Sequence, residues 1–279
     1  MITIENLYTK IEIMQKEIDE LKKDNILLNQ KINKINKGSN CSLSGNTYEQ
    51  QIHTILKFTY INNKPFHTQT LQNLGGSSSY NDIQCNYNNI NDIGIEIKKA
   101  KTPDWMQCSL KINNDKWEGS EKGKIPEASR KEFNKLLENI ILFDKNIPPF
   151  YKKELTYKEW TDIKSKSKIY DDHYIEIPKT TINKLYLAKG CYYIQISNYG
   201  LYRLGDDVCD LNVPLFDVKQ KMRIRIKVHK KKNNNGHCKL SVTASCLPSD
   251  LSLLEPSPYS LDNKEKLPKK LIYKNEIFK

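Results

Sequence analysis

The sequence predicts an α+β domain, a mixed sheet with helices, carried behind an N-terminal coiled-coil helix. Three observations predict it. A heptad seam runs through residues 4–35. Behind it the signals run helix, strands, helix, strands. And residues 80–99 show the two-residue alternation of a hairpin.

The seam comes first in the chain. Ile4, Leu7, Ile11, Met14, Ile18, Leu21, Asn25, Leu28, Ile32 and Ile35 recur in steps of three and four. β-branched residues dominate one set of positions and Leu the other, a preference of two parallel strands. Asn25 falls in the β-branched set, where a buried Asn facing its twin selects register and pair number at a cost in stability. The flanking positions Tyr8, Lys10, Gln15, Glu17, Lys22, Asp24, Asn29 and Lys31 are nearly all polar, so the apolar stripe is narrower than that of a helix docked on its own domain. A homodimer through residues 4–35 is expected, with a trimer or a partner helix left open. Lys37-Gly38-Ser39-Asn40 breaks the helix. The division that results is an oligomerisation helix over 1–37, a linker over 38–45, a domain over 46–247 with a basic β-hairpin near its end, and an irregular tail over 248–279 rich in proline.

Within the domain, Asn46 and Glu49 have capping-box spacing, opening a helix to about residue 60 with Ile52, Ile55, Leu56 and Phe58 inward. Gly75-Gly76-Ser77-Ser78-Ser79 is a loop. Strands are expected over 80–87 and 92–99 about a turn at Asn88–Asn91. Thr102-Pro103 reads as the start of a short helix through Trp105 and Leu110, and a second helix is expected over 126–143 with Phe133, Leu136, Leu137 and Ile140 on one face. Past Pro148 the signals are strands: 173–177, 191–197, 201–204, 221–229 and 238–245, the last two joined by a turn at Asn233–Gly236.

Chemistry concentrates in the hairpin. Alternation turns Ile83, Cys85, Tyr87, Ile93, Ile95 and Ile97 one way, and Asp82, Gln84, Asn86, Asp92, Gly94, Glu96 and Lys98 the other. Folded symmetrically about Asn89, the ribbon sets Asp82 opposite Glu96, with Cβ atoms roughly 4.5–5.5 Å apart. Two carboxylates so placed repel unless a cation lies between them. Mg²⁺ takes hard oxygen ligands and retains water for chemistry. Lys98, on the same face, can position the attacking water or offset charge developing on a phosphate. Asp92 lies by the turn and is expected in solvent. The pattern acid-x-Lys also occurs at Glu20, Asp162, Asp217 and Asp262. Only the copy at Glu96 lies in an alternating strand with an acid opposite; the Asp217 copy, with Asp206, Asp207 and Asp210 upstream, is its competitor.

The segment Asn81-Asp82 … Ile95-Glu96-Ile97-Lys98 resembles the PD-(D/E)xK nuclease superfamily, the restriction-endonuclease-like fold. The resemblance covers residues 45–145. It implies a Mg²⁺-dependent (or Mn²⁺-dependent) endonuclease acting on DNA, with Asp82 and Glu96 as metal ligands and Lys98 as catalytic lysine. By position, Glu49 matches a helix acid that many members place near the metal, and Gln107 a polar residue some members carry after the lysine. Asn81 stands where the naming motif has Pro. The Asn- and Lys-rich composition resembles that of proteins from large DNA viruses.

A second basic element lies at Met222–His229. Met222, Ile224, Ile226 and Val228 alternate with Arg223, Arg225, Lys227 and His229, and Lys230 and Lys231 lead into the turn. A ribbon edged with Arg223, Arg225, Lys227, Lys230 and Lys231 can track phosphates; its bland counterpart is a charged edge strand that resists aggregation. The formal charge of +12 fits a polyanionic partner, although codon bias toward Lys, Asn and Ile also produces it. The seven cysteines show no C-x-x-C pair, and the histidines have no spacing that completes a zinc site, which fits a reducing compartment. No apolar run of about 18 residues and no leader pattern is visible, so a soluble intracellular protein without membrane partners is expected. Two other classes remain in view: a DNA-binding module on an inactive nuclease scaffold, and a structural coiled-coil protein.

Overall fold

The computed structural model describes residues 47–67, 81–87, 90–102, 104–122 and 125–274. The heptad seam, its linker and Asn46 lie outside the described residues. The described chain is a mixed α/β structure with three sheets and, among the described residues, four α-helices. None of these helices is long and apolar enough to cross a membrane.

The mixed sheet carries the site. Helix α1 spans 47–56, and β1 (Thr59–Ile61) and β2 (Lys64–Pro65) follow it in an antiparallel turn. A bridge from His67 to Cys85, with Asn86 N donating to Phe66 O at 3.2 Å, lays the next residues against β3 (Ile83–Tyr87). Strand β3 turns into β4 (Ile90–Lys98), leaving only Asn88 and Asn89 between the strands rather than the four-residue turn expected; a register shift between Cys85 and Tyr87 absorbs the difference. Beyond β4 lies β8 (Cys191–Ile196), parallel to it, and then β9 (Gly200–Arg203), antiparallel. Strand β8 is buried at five of its six positions, as expected for a strand covered on both faces. Its one polar residue is satisfied: Gln195 Nε2 donates to Tyr48 Oη (3.1 Å) and Ser260 Oγ (2.8 Å), and its Oε1 accepts from Leu261 N (2.9 Å).

Between β4 and β8 comes most of a second, antiparallel sheet, ordered β6-β5-β11-β10-β7. Its strands are β5 (Met106–Asn113), β6 (Lys116–Gly119), β7 (His173–Ile177), β10 (Gln220–Lys230) and β11 (Lys239–Pro248). The helix expected through Trp105 and Leu110 is therefore a strand. Met106, Cys108 and Leu110 are buried while Gln107, Ser109 and Lys111 alternate with them, a period-two pattern completed by pairing with β11 and β6. The next helix, α2 (Glu127–Leu137), stops short of residue 143; Ser129, Phe133 and Leu137 form its buried line. Two helices fall where only strands were expected: α3 (Tyr157–Lys166), opened by a complete capping box of Thr156 and Glu159, and α4 (Thr181–Ala188). Helix α4 returns the chain to β8, as a parallel neighbour requires.

Two apolar clusters flank the mixed sheet. One packs Ile52 and Leu56 of α1 on Ile83, Cys85, Ile93, Ile95, Ile97 and Tyr193. The other joins Ile194, Ile196 and Tyr202 to α2, α4 and the second sheet through Phe133, Leu185 and Tyr186. Among the described residues the segment after Leu247 is mostly irregular, yet it packs into the same unit as the sheets. Leu261 and Leu271 enter the first cluster, and β12 (Ile272–Tyr273) pairs with β1.

Candidate active site

The acids meet because of strand register. Ile83 pairs with Ile95, Gln84 with Gly94 and Cys85 with Ile93; the same register, carried one residue outward, sets Asp82 opposite Glu96. Asp82 Oδ2 accepts a hydrogen bond from Ile97 N at 2.8 Å, which fixes its carboxyl on β4. Glu96 and Lys98 lie on the face of β4 opposite the Ile93-Ile95-Ile97 row, as alternation requires. That face is not solvated, because α4 covers it: Glu96 is 3% exposed.

Glu96 is held from two sides. Lys98 Nζ contacts its Oε1 at 2.5 Å and Lys189 Nζ its Oε2 at 2.8 Å. The Cys191 thiol lies 3.6 Å from Oε2 and donates to Asn81 Oδ1 at 3.1 Å. Lys98 also sits 5.7 Å from the centre of the Tyr186 ring, whose hydroxyl donates to Trp105 O. Lys189 is the C-cap of α4, and Gly190 behind it has φ +86°, the left-handed conformation that lets a helix end in a sharp reversal. The reversal is seated on β4 by Gly94 N donating to Gly190 O at 2.9 Å. Gly94 must be glycine for this: a Cβ there would stand 2.6 Å from Gly190 O and 2.3 Å from Asn81 Nδ2.

The fifth charged group comes from α1. Glu49 Oε2 is buried and has no hydrogen-bond partner. Burial, then the neighbouring Asp82 carboxylate, push the Glu49 carboxyl up to about 7, against a partial pull from Lys98. Asp82 is pushed up to about 6 by burial and by Glu96, with Lys98 and Lys189 opposing. Burial would raise Glu96 too, but its two lysines hold it below the usual range. Both lysines are in turn held above theirs, Glu96 outweighing the cost of burying them. The result is one low carboxylate and two that resist ionising together, the mark of a cluster short of positive charge.

The donor set suits a divalent cation: three carboxylates, one with an orphaned oxygen, present hard ligands. As they stand, no three Asp, Glu, His or Cys side chains among the described residues are spaced to enclose a cation. Glu96 is engaged on both oxygens.

Of the residues expected from sequence, Asp82, Glu96, Lys98 and Glu49 come together. Gln107 does not. It stands on β5 in the other sheet, paired with Ser245, because the helix that was to carry it is a strand. The competing acids are engaged elsewhere: Asp217 pairs with Lys179 (2.8 Å), Asp207 accepts from the Tyr193 hydroxyl (2.6 Å), and Asp210 pairs with Lys270 (2.9 Å). Lys189 and Cys191 were not foreseen. The Gly190 C-cap after an Ile182, Leu185, Tyr186 stripe was a readable sign of α4; nothing local marks Lys189 as a partner of Glu96.

The basic ribbon divides in two. Arg223 is bound to Asp172 (2.5 Å) and Asp104 (3.5 Å), and Arg225 to Asp104 (3.2 Å), so the two arginines expected to face DNA are neutralised within the sheet. Past Ile224 on one side and Val242 on the other, β10 and β11 lose their outer partners and run on as a two-stranded ribbon. There Lys227, Lys230, Lys231, Lys232 and Lys239 are exposed. An open hollow of ≈ 380 Å³ lies among Lys230, Lys232 and Asn233–Asn235. The tip is braced on the start of α3: Cys238 N donates to Leu155 O (2.8 Å), and Lys231 Nζ lies 4.8 Å over the Tyr157 ring.

Comparisons of the chain with protein-family models, with curated proteins and with solved structures find no match.

Proposed function

We propose that this chain is a divalent-metal-dependent nuclease of the restriction-endonuclease-like kind, hydrolysing DNA phosphodiester bonds at the Asp82–Glu96–Lys98 cluster. The observation that carries the reading is the convergence of three carboxylates on one lysine-bearing strand, with Glu49 Oε2 buried and unpartnered among them. Part of the order of elements supports it: helix α1, an extended segment through His67, the hairpin β3–β4 and, after the intervening β5–β7, α2 and α3, helix α4 leading to β8 parallel to β4. Asp82, Glu96 and Glu49 would hold Mg²⁺ or Mn²⁺, which when bound supplies Lewis acidity to the phosphate and an acidified water. Lys98 orients the attacking water and offsets charge on the phosphate oxygens, its ammonium kept in place by Glu96 and the Tyr186 ring. Lys227, Lys230 and Lys231, rather than Arg223 and Arg225, meet the DNA backbone. The seam over residues 4–35 pairs two such domains, so that two strands are cut by two sites.

One observation favours a second reading, a DNA-binding protein on an inactive scaffold: both oxygens of Glu96 are taken by lysines. Incubation of supercoiled plasmid with the full chain and Mg²⁺ or Mn²⁺ separates the two. The nuclease reading expects nicking or linearisation that EDTA stops and that Asp82→Ala and Lys98→Ala each reduce at least about 100-fold. Equal cutting by the Asp82→Ala variant eliminates this site, and DNA retention without cutting selects the second reading.

A further inference from the structure

A second ammonium, that of Lys189, reaches the site from the end of α4. The side chain is 2% exposed and lies 2.8 Å from Glu96 Oε2, the oxygen that Lys98 leaves open.

Charge decides what it does there. Glu49, Asp82 and Glu96 together bring three negative charges. One lysine and a divalent cation cancel them; two lysines and a divalent cation overshoot by one, inside a site where unbalanced charge is costly. One lysine therefore yields when a cation enters, and the two differ in what anchors them: Lys98 belongs to a paired strand, Lys189 to the end of a helix. Lys98, its side chain 14% exposed, is the last residue of β4, paired with Ile196 of β8 and held between Glu96 and the Tyr186 ring. Lys189 ends a helix. Its side chain is turned in, but it stands at the C-cap of α4, where no strand pairing holds the residue and a long flexible stem can turn its ammonium outward.

We propose that Lys189 is a resident counter-ion of the site: its ammonium closes Glu96 Oε2 in the metal-free protein and is displaced to solvent when a divalent cation binds. The proposal rests on the metal reading above and deepens it. It assigns to α4 the control of cation entry, which makes the site's occupancy depend on metal concentration through a built-in competitor. It also accounts for the absence of a ready-made three-ligand cage among the described residues.

The test uses the full-length chain and Mn²⁺, with free ion counted by electron paramagnetic resonance, for the wild type, Lys189→Met and Lys189→Arg. Lys189→Met keeps the length of the side chain and removes the competing charge, so it should tighten Mn²⁺ binding about tenfold or more. Lys189→Arg should bind no tighter than wild type. A second measurement needs no variant: reductive methylation read by mass spectrometry should label Lys189 several-fold faster with Mn²⁺ than with EDTA, while other lysines hold their rates. Equal or weaker binding by Lys189→Met, with Lys189 labelling unchanged by Mn²⁺, overturns the proposal and leaves the metal reading intact. Failure of every form, wild type included, to bind Mn²⁺ overturns both.

Discussion

Glu49→Gln tests the electrostatics of the cluster without touching its hairpin. The Glu49 carboxyl stands at about 7 rather than its ordinary 4.5. At about 1.36 kcal/mol per pH unit, ionising it in the folded protein costs about 3.4 kcal/mol more than in the unfolded chain. Glu49 is only half-buried, so solvent screening reduces this to roughly 1–2 kcal/mol. The sign follows from linkage. A carboxyl whose folded value is raised favours the fold fully below pH 4.5, and that contribution is lost as pH rises through about 7. Asp82, raised to about 6, acts in the same direction between its ordinary 3.8 and 6. Glu49→Gln keeps the shape and removes the charge. In EDTA at pH 8 the variant should therefore be more stable than wild type by roughly 1–2 kcal/mol, a Tm rise of about 2–8 °C for a domain of this size. The gain should shrink toward zero near pH 4.5. With saturating Mn²⁺ the order should reverse, since the cation stabilises only the form with the extra ligand. Thermal denaturation from pH 4.5 to 8, with EDTA and with Mn²⁺, reads all of this. A variant no more stable than wild type at pH 8 in EDTA would refute the claim that these carboxylates repel one another across the site.

Other outcomes follow from the same geometry. Gly94→Ala drives a Cβ into Gly190 O and should cost about 1–3 kcal/mol in urea unfolding and weaken Mn²⁺ binding. Gly190→Ala meets no atom closer than 3.8 Å but retains φ +86°, so its cost should be only about 1 kcal/mol. Replacing Lys230 and Lys231 together by Ala should reduce the salt dependence of DNA binding by about two counterions; Arg225→Ala should leave that slope unchanged and instead lower stability by about 1–2 kcal/mol, because Asp104 loses a partner. Equal slopes for all three proteins would remove the ribbon from the interface. In sedimentation the full chain should be a dimer at micromolar concentration, and Asn25→Leu should broaden it to mixed oligomers; a wild-type monomer ends the coiled-coil reading.

Local rules reached as far as pairwise spacing reaches. Alternation in residues 82–98 was enough to set Ile83, Ile93, Ile95 and Ile97 against Asp82, Glu96 and Lys98, because side-chain direction in a strand depends only on parity. A short turn then sufficed for the Asp82–Glu96 register, seven residues either side of Asn89, and the bulge that shifts Tyr87 did not disturb it. The strands over 173–177 and 191–197 and the long hairpin of β10 and β11 were legible for the same reason. The segment at 106–113 was misread because Thr102-Pro103 imitates a helix start, whereas its state is decided by edge pairing with β11 and β6.

Everything that crosses long stretches of chain was decided by the tertiary fold. Arg223 and Arg225 looked free on a charged face until Asp104 and Asp172 arrived from other segments. The sequence leaves Glu49 both a role as cap partner and, through the resemblance, a role as site acid, and packing of α1 on the sheet sets it among the acids. Lys189 lies 93 residues from Glu96, and only the crossover that makes β8 parallel to β4 brings its ammonium to that carboxylate. Parity and turn length are properties of neighbours along the chain, whereas the charge balance of a buried site is a sum over all that folding brings near it.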